Sequence, residues 1–445
     1  MPQSIKPVSG FPEYLPGEQI VFNRMISIIR SNFELYGFTP IETPAVERKQ
    51  TLIAKGGDEK EIYALERLHA AKGEDSSTEM ALHFDLTVPL ARYVSMHQNE
   101  LTFPFKRYQI QKIWRGERPQ AGRYREFYQC DIDVIGREKL ALENDAEMPA
   151  VIYKIFREME IGAFTISINN RKFISGYLMS LGIKEGDIPK VLHIIDKRDK
   201  VGKEKMTADL SAFVSEDEAQ TLCAFLVPQD DPFKALEYFA THGHEINESL
   251  GEGAREILAT LDNIKAHGVP DEFITVDLGI VRGLDYYTGT VYETQLTEYP
   301  EIGSVCSGGR YENLAGAFSN TALPGVGISI GLSRIMTYLF EQGAFDVSQS
   351  SPSHVLVTSM DEAYSEDYKS ITALLRNTFI PAEMYTEGGK IDKQLKYAHG
   401  KGIRYVIIMG EDEKKEEVVL IKDLQSGEQE KVKITDIIAY FLDKK

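Results

Sequence analysis

The stretch from Tyr108 to Gly136, YQIQKIWRGERPQAGRYREFYQCDIDVIG, constrains this chain more than any other. It predicts two strands joined by a Gly- and Pro-containing loop, Gly116 to Gly122, which is a long hairpin signal. Strand side chains alternate with period two, so Arg125, Phe127, Gln129, Asp131 and Asp133 share one side of the second strand. Tyr124, Tyr128, Cys130, Ile132 and Val134 take the other side, interrupted only by Glu126. The apolar side belongs on a core. Its opposite carries two carboxylates, an amide, a guanidinium and an aromatic ring, with Arg115, Arg118 and Arg123 close by in the first strand and the loop. Two readings are open at this point. One is a solvated sheet face with surface ion pairs, which contribute little. The other is the floor for a ligand that bears both anionic and cationic groups.

The 445 residues suffice for about three domains. A formal net charge of −18 argues against a protein that coats nucleic acid indiscriminately, but leaves room for a local basic groove, because steering depends on how charge is distributed. The three cysteines, Cys130, Cys223 and Cys306, lie far apart without a CxxC pair, which suits a reducing cytosol. No 18-residue apolar run and no basic-then-apolar N-terminus are found, so neither a membrane span nor a secretory signal is expected. A soluble, cytoplasmic chain follows as the expectation.

In chain order, Glu18 to Tyr36 has helical periodicity, with Ile20, Val21, Met25, Ile28, Ile29, Phe33 and Leu35 on one broad face and Gly37 as the stop. FTPIETPAVE is extended, since Pro40 and Pro44 restrict the residues before them. ALHFDLTVPLARYVSMH predicts a strand turning into a helix, where Asp85 and Thr87 suit helix capping and ligand binding equally. After the hairpin come a helix over residues 143–160 and a strand FTISINNR. Residues 173–266 are helix-rich and carry no polar constellation, as expected of an inserted helical module. FITVDLGIVRGLDYYTGTVYETQL then predicts two strands around Arg282 to Gly289. Glycines at 325, 327 and 331 have the character of a backbone that approaches phosphates, although G-x-G-x-x-x-G is neither a dinucleotide fingerprint nor a P-loop. A helix follows from about Leu332 with Arg334 in its first turn. The helix dipole disfavours arginine there, so it suits a neighbouring anion. Beyond a linker at SSPS, strands alternate with helices to the C-terminus, the pattern of a compact α/β domain with a mostly parallel sheet.

No Ser-His-Asp order, metal-ligand cluster or P-loop emerges. The candidate chemistry is four separate arginines, Arg115, Arg123, Arg282 and Arg334, in strand-rich segments. Arginine is always charged, and its planar fork matches phosphate oxygens, so several converging forks suit a nucleoside triphosphate.

At this point the sequence resembles the histidyl-tRNA synthetases, class II aminoacyl-tRNA synthetases, over essentially its full length. RGERPQAGRYREF resembles the second class II motif, GISIGLSRI the third and GFTPIETP the first, while RGLDYYTGTVYE and CSGGRYENL resemble segments specific to the histidine enzymes. The resemblance implies an α+β fold: an antiparallel sheet flanked by helices over 1–172 and 267–345, a helical insertion over 173–266, and a C-terminal α/β anticodon-binding domain over 352–445. It implies a homodimer formed largely through the first motif, and a histidine–tRNA ligase that makes histidyl-adenylate from L-histidine and ATP and then acylates tRNA(His). Neither a membrane nor DNA is an expected partner.

By the same resemblance, Arg115 holds the ATP α-phosphate, Phe127 stacks on adenine opposite Arg334, and Arg123 and Arg334 reach the γ-phosphate end. The substrate ammonium falls to Asp85, Thr87 and Gln129, and the imidazole to Asp133 and Tyr287, with Tyr311 and Tyr286 nearby. Arg282 lies between the histidine carboxylate and the α-phosphate, making Arg282 and Arg115 the catalytic pair. Mg2+ is implied as a companion of the ATP phosphates, without direct protein ligands. Asp85 and Asp133 stand where other members carry Glu, which shortens each arm by one methylene. Arg118 and Gln120 match positions that meet the tRNA acceptor end, and Lys390, Lys393, Lys396, Lys401 and Arg404, interleaved with Tyr397 and His399, match an anticodon surface. The rival is a catalytically inactive synthetase paralogue that regulates histidine biosynthesis. Such paralogues lack the C-terminal domain and parts of the arginine set, and this chain has both.

Overall fold

The structure, a computed structural model, describes residues 5–54, 61–67, 79–120, 122–226, 232–281 and 287–444. They fall into two compact units, one built on Ile26–Gln342 and the other on Gly343–Lys445 together with Glu13–Met25.

The first unit is organised on the hairpin. Its strands are β1 Thr39–Pro40, β2 Val46–Arg48, β3 Met80–Leu82, β4 Phe105–Trp114, β5 Glu126–Ile135, β6 Phe164–Asn170, β7 Ile274–Val276, β8 Thr290–Leu296, β9 Ser304–Tyr311 and β10 Gly325–Ile330. Eight of them form one sheet in the order β1-β4-β5-β10-β9-β8-β6-β7, while β2 and β3 pair separately. The outer pairs β1–β4 and β6–β7 are parallel, and every pairing between them is antiparallel. The period-two reading of β5 holds. Cys130, Ile132 and Val134 lie in register with Ile330, Ile328 and Val326 of β10, and all six are buried. Each such aliphatic side chain contributes about 1.5–3 kcal/mol relative to exposure. Glu126, the polar interruption on that side, accepts from Lys112 Nζ and Trp114 Nε1 at the loop end of the hairpin. The helices Glu143–Met159 and Leu332–Glu341 pack against β10 and β5.

The N-terminal helix runs over Pro16–Leu35 and ends at Gly37, whose φ of +77° glycine accepts without strain. Its buried face is Val21, Phe22, Met25, Ile29 and Phe33, while Leu35, expected there, is 71% exposed. Asn32 is buried in its place, because its amide donates to Ile28 O and to Glu158 Oε2. From Arg171 to Ala266 the described residues form only helices and turns. Their apolar clusters include Val276, Leu278 and Val281, so the helical segment shares a core with the chain that returns to the sheet.

The second unit holds β11 Val355–Val357, β12 Ala382–Met384, β13 Tyr405–Ile408, β14 Val418–Asp423 and β15 Gln429–Lys433 in the order β12-β11-β13-β14-β15. The first two pairings are parallel and the last two antiparallel, so the sheet is mixed rather than mostly parallel. The connection from β13 to β14 explains the difference. It holds only the short helix Glu411–Lys415, and a parallel return needs a crossover of about a dozen residues or more. Strand β15, QEKVK, was not expected at all. It is an exposed edge strand whose charges discourage further pairing and mask it as a strand in the sequence.

Candidate active site

The face of β5 that carries Phe127, Gln129, Asp131 and Asp133 is not a solvated surface. In register across β4 stand Ile113, Gln111, Gln109 and Arg107, and across β10 Asp131 meets Ser329 and Asp133 meets Gly327. Asp131, Asp133, Gln109 and Arg107 are all buried. A polar floor has formed where ion pairs in water were one of the two options.

At the Phe127 end the floor opens into a cavity of about 270 Å3, lined by Arg115, Glu117, Arg123, Phe127, Gln129, Ser307 and Arg334 among others. The Arg115 guanidinium lies 5.3 Å from the centre of the Phe127 ring, and its Nε donates to Phe84 O. Arg123 is half exposed and reaches Glu117 at 3.3 Å. Arg334, in the first turn of Leu332–Glu341, donates to the backbone carbonyls of Gly122 and Ser304, so carbonyl oxygens offset its unfavourable place on the helix dipole. The structure therefore brings together Arg115, Arg123, Phe127 and Arg334 as the sequence suggested. A second cavity of about 480 Å3 shares Arg115, Arg123, Ser304 and Ser307 and adds Arg171, His193 and Val281. His193 belongs to the helix Ile188–Ile195, so the helical segment does contribute polar groups here, which its sequence gave no signal to suggest.

At the other end the residues are buried. Asp133 Oδ1 accepts from the Tyr311 hydroxyl at 2.9 Å, and Oδ2 lies 2.6 Å from Arg107 Nη2, a fully buried ion pair. Arg107 Nε and Nη1 have no hydrogen-bond partner among the described residues. Tyr287 packs on Tyr311 and Ala91. Asp85 Oδ1 accepts from Val88 N and caps the helix Thr87–His97, while its Oδ2 is buried without a partner among the described residues. Both readings of Asp85 are thus open to the same side chain, one oxygen each. Gln129 Nε2 donates to Ser329, and neither Gln129 Oε1 nor Asp131 Oδ1 has a partner among the described residues. Burial, opposed in part by Arg107, pushes the Asp131 carboxyl up to about 7. Burial likewise pushes Asp85 up to about 6 against its helix-cap bond, and raises Asp133 against Arg107 and the Tyr311 hydroxyl. Acceptors buried without partners cost free energy and point to a polar ligand that completes them.

The first two glycines of GVGISIG, Gly325 and Gly327, serve the other half of the site. A Cβ on Gly327 would stand 2.2 Å from Asp133 Oδ1, and one on Gly325 would stand 2.5 Å from the Tyr311 ring. Their bareness lets Asp133 and Tyr311 lie flat across β10, so the close approach at these two is made by side chains of the closed half. Of the three glycines, Gly331 lines the Arg334 cavity. Arg310 of CSGGRY is a brace: it holds the buried Asp145 carboxylate and the carbonyls of Leu140 and Ala141. Arg118 and Gln120 sit exposed in the hairpin loop, where Gln120 and Arg123 exchange backbone hydrogen bonds. Arg282 and Tyr286 lie outside the described residues. Sequence reasoning missed Arg107. Its signal was the hairpin register, which sets it opposite Asp133.

A family model described as Histidyl-tRNA synthetase matches residues 10–335. The chain belongs to the histidyl-tRNA synthetase family. A second model, described as Anticodon binding domain, matches residues 354–444. The chain is 46% identical over 434 residues to the histidine–tRNA ligase of Stenotrophomonas maltophilia, covering 94% of each, and 44% identical over 440 residues to that of Clostridium tetani, covering 98% of each. The crystal structure of histidyl-tRNA synthetase from Nostoc sp. PCC 7120 superposes with a TM-score of 0.91 at 40% identity, each chain covered completely. The fold is that of a class II synthetase with a C-terminal anticodon-binding domain. Among the described residues no helix is long and apolar enough to cross a membrane.

Within this synthetase fold, the hairpin face divides into an open arginine-rimmed half and a closed carboxylate half. In the C-terminal unit, Lys401 is held by Glu383 and Tyr397, and Arg404 by Asp423. Lys390, Lys393 and Lys396 stand exposed.

Proposed function

We infer that this chain is a histidine–tRNA ligase that runs both of its steps on the hairpin face. The observation that carries the reading is the sequence of groups along one strand: a cavity rimmed by guanidinium groups at Phe127, then buried acceptors on Gln129 and Asp131 that lack partners among the described residues, and at the far end Asp133, paired with Arg107 and Tyr311. In the first step an oxygen of the histidine carboxylate attacks the α-phosphorus of ATP, and pyrophosphate leaves with the bonding electrons. The nucleophile is already ionised, so no general base is needed. Two anions must meet, and fixed positive charge is the main aid a protein can supply.

Arg115 takes the α-phosphate, Phe127 supports adenine opposite Arg334, and Arg123 and Arg334 take the γ-phosphate end. Guanidinium groups suit phosphate oxygens and repel a bare cation, so Mg2+ would be held by the ATP phosphates rather than by these side chains and would lower the phosphate charge. Asp85, Thr87 and Gln129 receive the ammonium, and the imidazole lies toward Asp133, Tyr286, Tyr287 and Tyr311. Arg282 bridges the carboxylate and the α-phosphate. In the second step a terminal ribose hydroxyl of tRNA(His) attacks the carbonyl carbon, and AMP leaves. Arg118 and Gln120 meet the acceptor end, while Lys390, Lys393 and Lys396 serve the anticodon side. Lys401 and Arg404 stabilise the domain through their carboxylate partners.

The domain division is the one read from the sequence: catalytic over 1–172 and 267–345, insertion over 173–266, and anticodon-binding over 352–445. The enzyme works as a homodimer. The exposed apolar side chains of Val46 and Met80 on β2 and β3, next to the proline-bearing first motif, support that assembly. Its compartment is the cytoplasm, in keeping with three buried free thiols. Charging of a tRNA(His) transcript with labelled histidine tests the whole reading. Adenylate formation without acylation would remove the second step.

A further inference from the structure

Before the chain reaches Arg282 it runs through Asp277-Leu278-Gly279-Ile280-Val281, a stretch outside any strand or helix. Three side chains from elsewhere hold it. Asn169, in β6, donates from Nδ2 to Leu278 O at 3.0 Å and to Ile280 O at 2.9 Å. Arg171, which opens the helix Arg171–Ser180, donates from Nη1 to Val281 O at 2.8 Å. The third is Arg198, which opens the short helix Arg198–Val201 within the helical segment. Its Nη1 and Nη2 meet Asp277 Oδ1 and Oδ2 at 3.0 and 2.6 Å, and Nη1 also donates to Leu226 O at 3.2 Å. One guanidinium thus ties two separate parts of the helical segment to this stretch. Gly279 provides its seat: a Cβ there would stand 1.2 Å from Arg198 Nη1 and 3.0 Å from Leu226 O. Val281, at the far end, lines the cavity that Arg115 and Arg123 share, and the next residue in sequence is Arg282.

The Arg198 and Asp277 side chains are only 20% and 16% exposed. An ion pair buried to this degree adds little net stability compared with apolar packing, but a two-bond fork fixes direction as well as distance. We propose that Arg198 is a positioning residue for amino-acid activation: its fork on Asp277 fixes the stretch from which Arg282 departs, so that docking of the helical segment is felt at the α-phosphate. This rests on the assignment of Arg282 to the carboxylate and α-phosphate. Rigid placement matters there, because a shift of about 1 Å caused far from the chemistry can cost about a hundredfold in rate.

Single-turnover adenylation by the full chain tests this with Arg198→Gln and, separately, with Gly279→Ala, which keeps both charges but fills the seat. Each is expected to slow adenylate formation at least about tenfold, with the KM values for histidine and ATP changed less than about threefold. In an Arg282→Ala background, Arg198→Gln is expected to cost less than about a further twofold, because the two act through one contact. An unchanged rate in either folded variant overturns the proposal. So does a loss in the Arg282→Ala background as large as that in the otherwise unaltered protein. Raised KM values with an unmoved rate overturn it too, since they would make the fork a support for the fold alone. If thermal melting shows that Arg198→Gln does not fold, Arg198→Gln combined with Asp277→Asn removes both charges and leaves neither unpaired. The same loss is expected there, and an unchanged rate overturns the proposal equally. A full rate in Arg282→Ala alone would instead remove the assignment of Arg282, and the proposal with it.

Discussion

At the scale of single residues, the site is a problem in placing charge. Arg282 is assigned to the meeting point of carboxylate and α-phosphate. Arg282→Ala is expected to slow adenylate formation by two to three orders of magnitude, about the loss for one preorganised donor to a developing charge, with histidine binding less affected. Single-turnover adenylation measures this, and a rate near that of the unaltered protein would remove its role. The buried carboxylates carry a second consequence. Asp131 and Asp85 titrate near 7 and 6 in the folded chain, above their ordinary range, so the folded state binds their protons more tightly than the unfolded chain does. Their contribution to stability is full below about pH 4 and is lost as pH rises through 6 to 7. Asp131→Asn removes one of these groups. The melting temperature of the ligand-free variant, relative to the unaltered protein, is expected to rise from pH 5.5 to pH 8. A difference that stays flat or falls over that range would contradict the assigned environment.

At the scale of elements, β10 makes the closed half of the site possible by being bare. Gly327→Ala would place a methyl group against Asp133 Oδ1 and the Ile132 carbonyl, neither of which can give way cheaply. The KM for histidine is expected to rise about tenfold or more through displaced Asp133, with the KM for ATP less affected. Equal changes in both would point to general disruption of the sheet. This element also shows where sequence reading stopped. The hairpin was legible because period two separates its faces and GERPQAG marks its turn. Gly325 and Gly327 were not legible as the seats of Tyr311 and Asp133, because sequence shows that a backbone is approached closely without showing what approaches it. Arg107 was overlooked because one of two adjacent charges in FKRYQI stands out only once β4 is in register with β5. The mixed sheet of the C-terminal unit depended on the short link after β13, and β15 on charges that resemble a loop.

For the whole molecule, chemistry at the hairpin and recognition at the C-terminal unit separate in experiment. Replacing Lys390, Lys393 and Lys396 together by Glu is expected to lower kcat/KM for tRNA at least about tenfold, and to weaken its dependence on salt, because phosphate contacts release counterions. Histidine and ATP activation should be unchanged. Equal loss in activation would show that these lysines support the fold. The net charge of −18 makes such a patch more consequential, since the rest of the surface repels tRNA on average.

The central claim is that one strand face, from Phe127 to Asp133, activates a single amino acid with ATP. Pyrophosphate–ATP exchange with each amino acid in turn tests it most directly. Exchange with L-histidine alone, lowered at least about a hundredfold by Arg115→Ala, is the result predicted for a site of this kind. No exchange from folded protein, or exchange driven equally well by another amino acid, would contradict it.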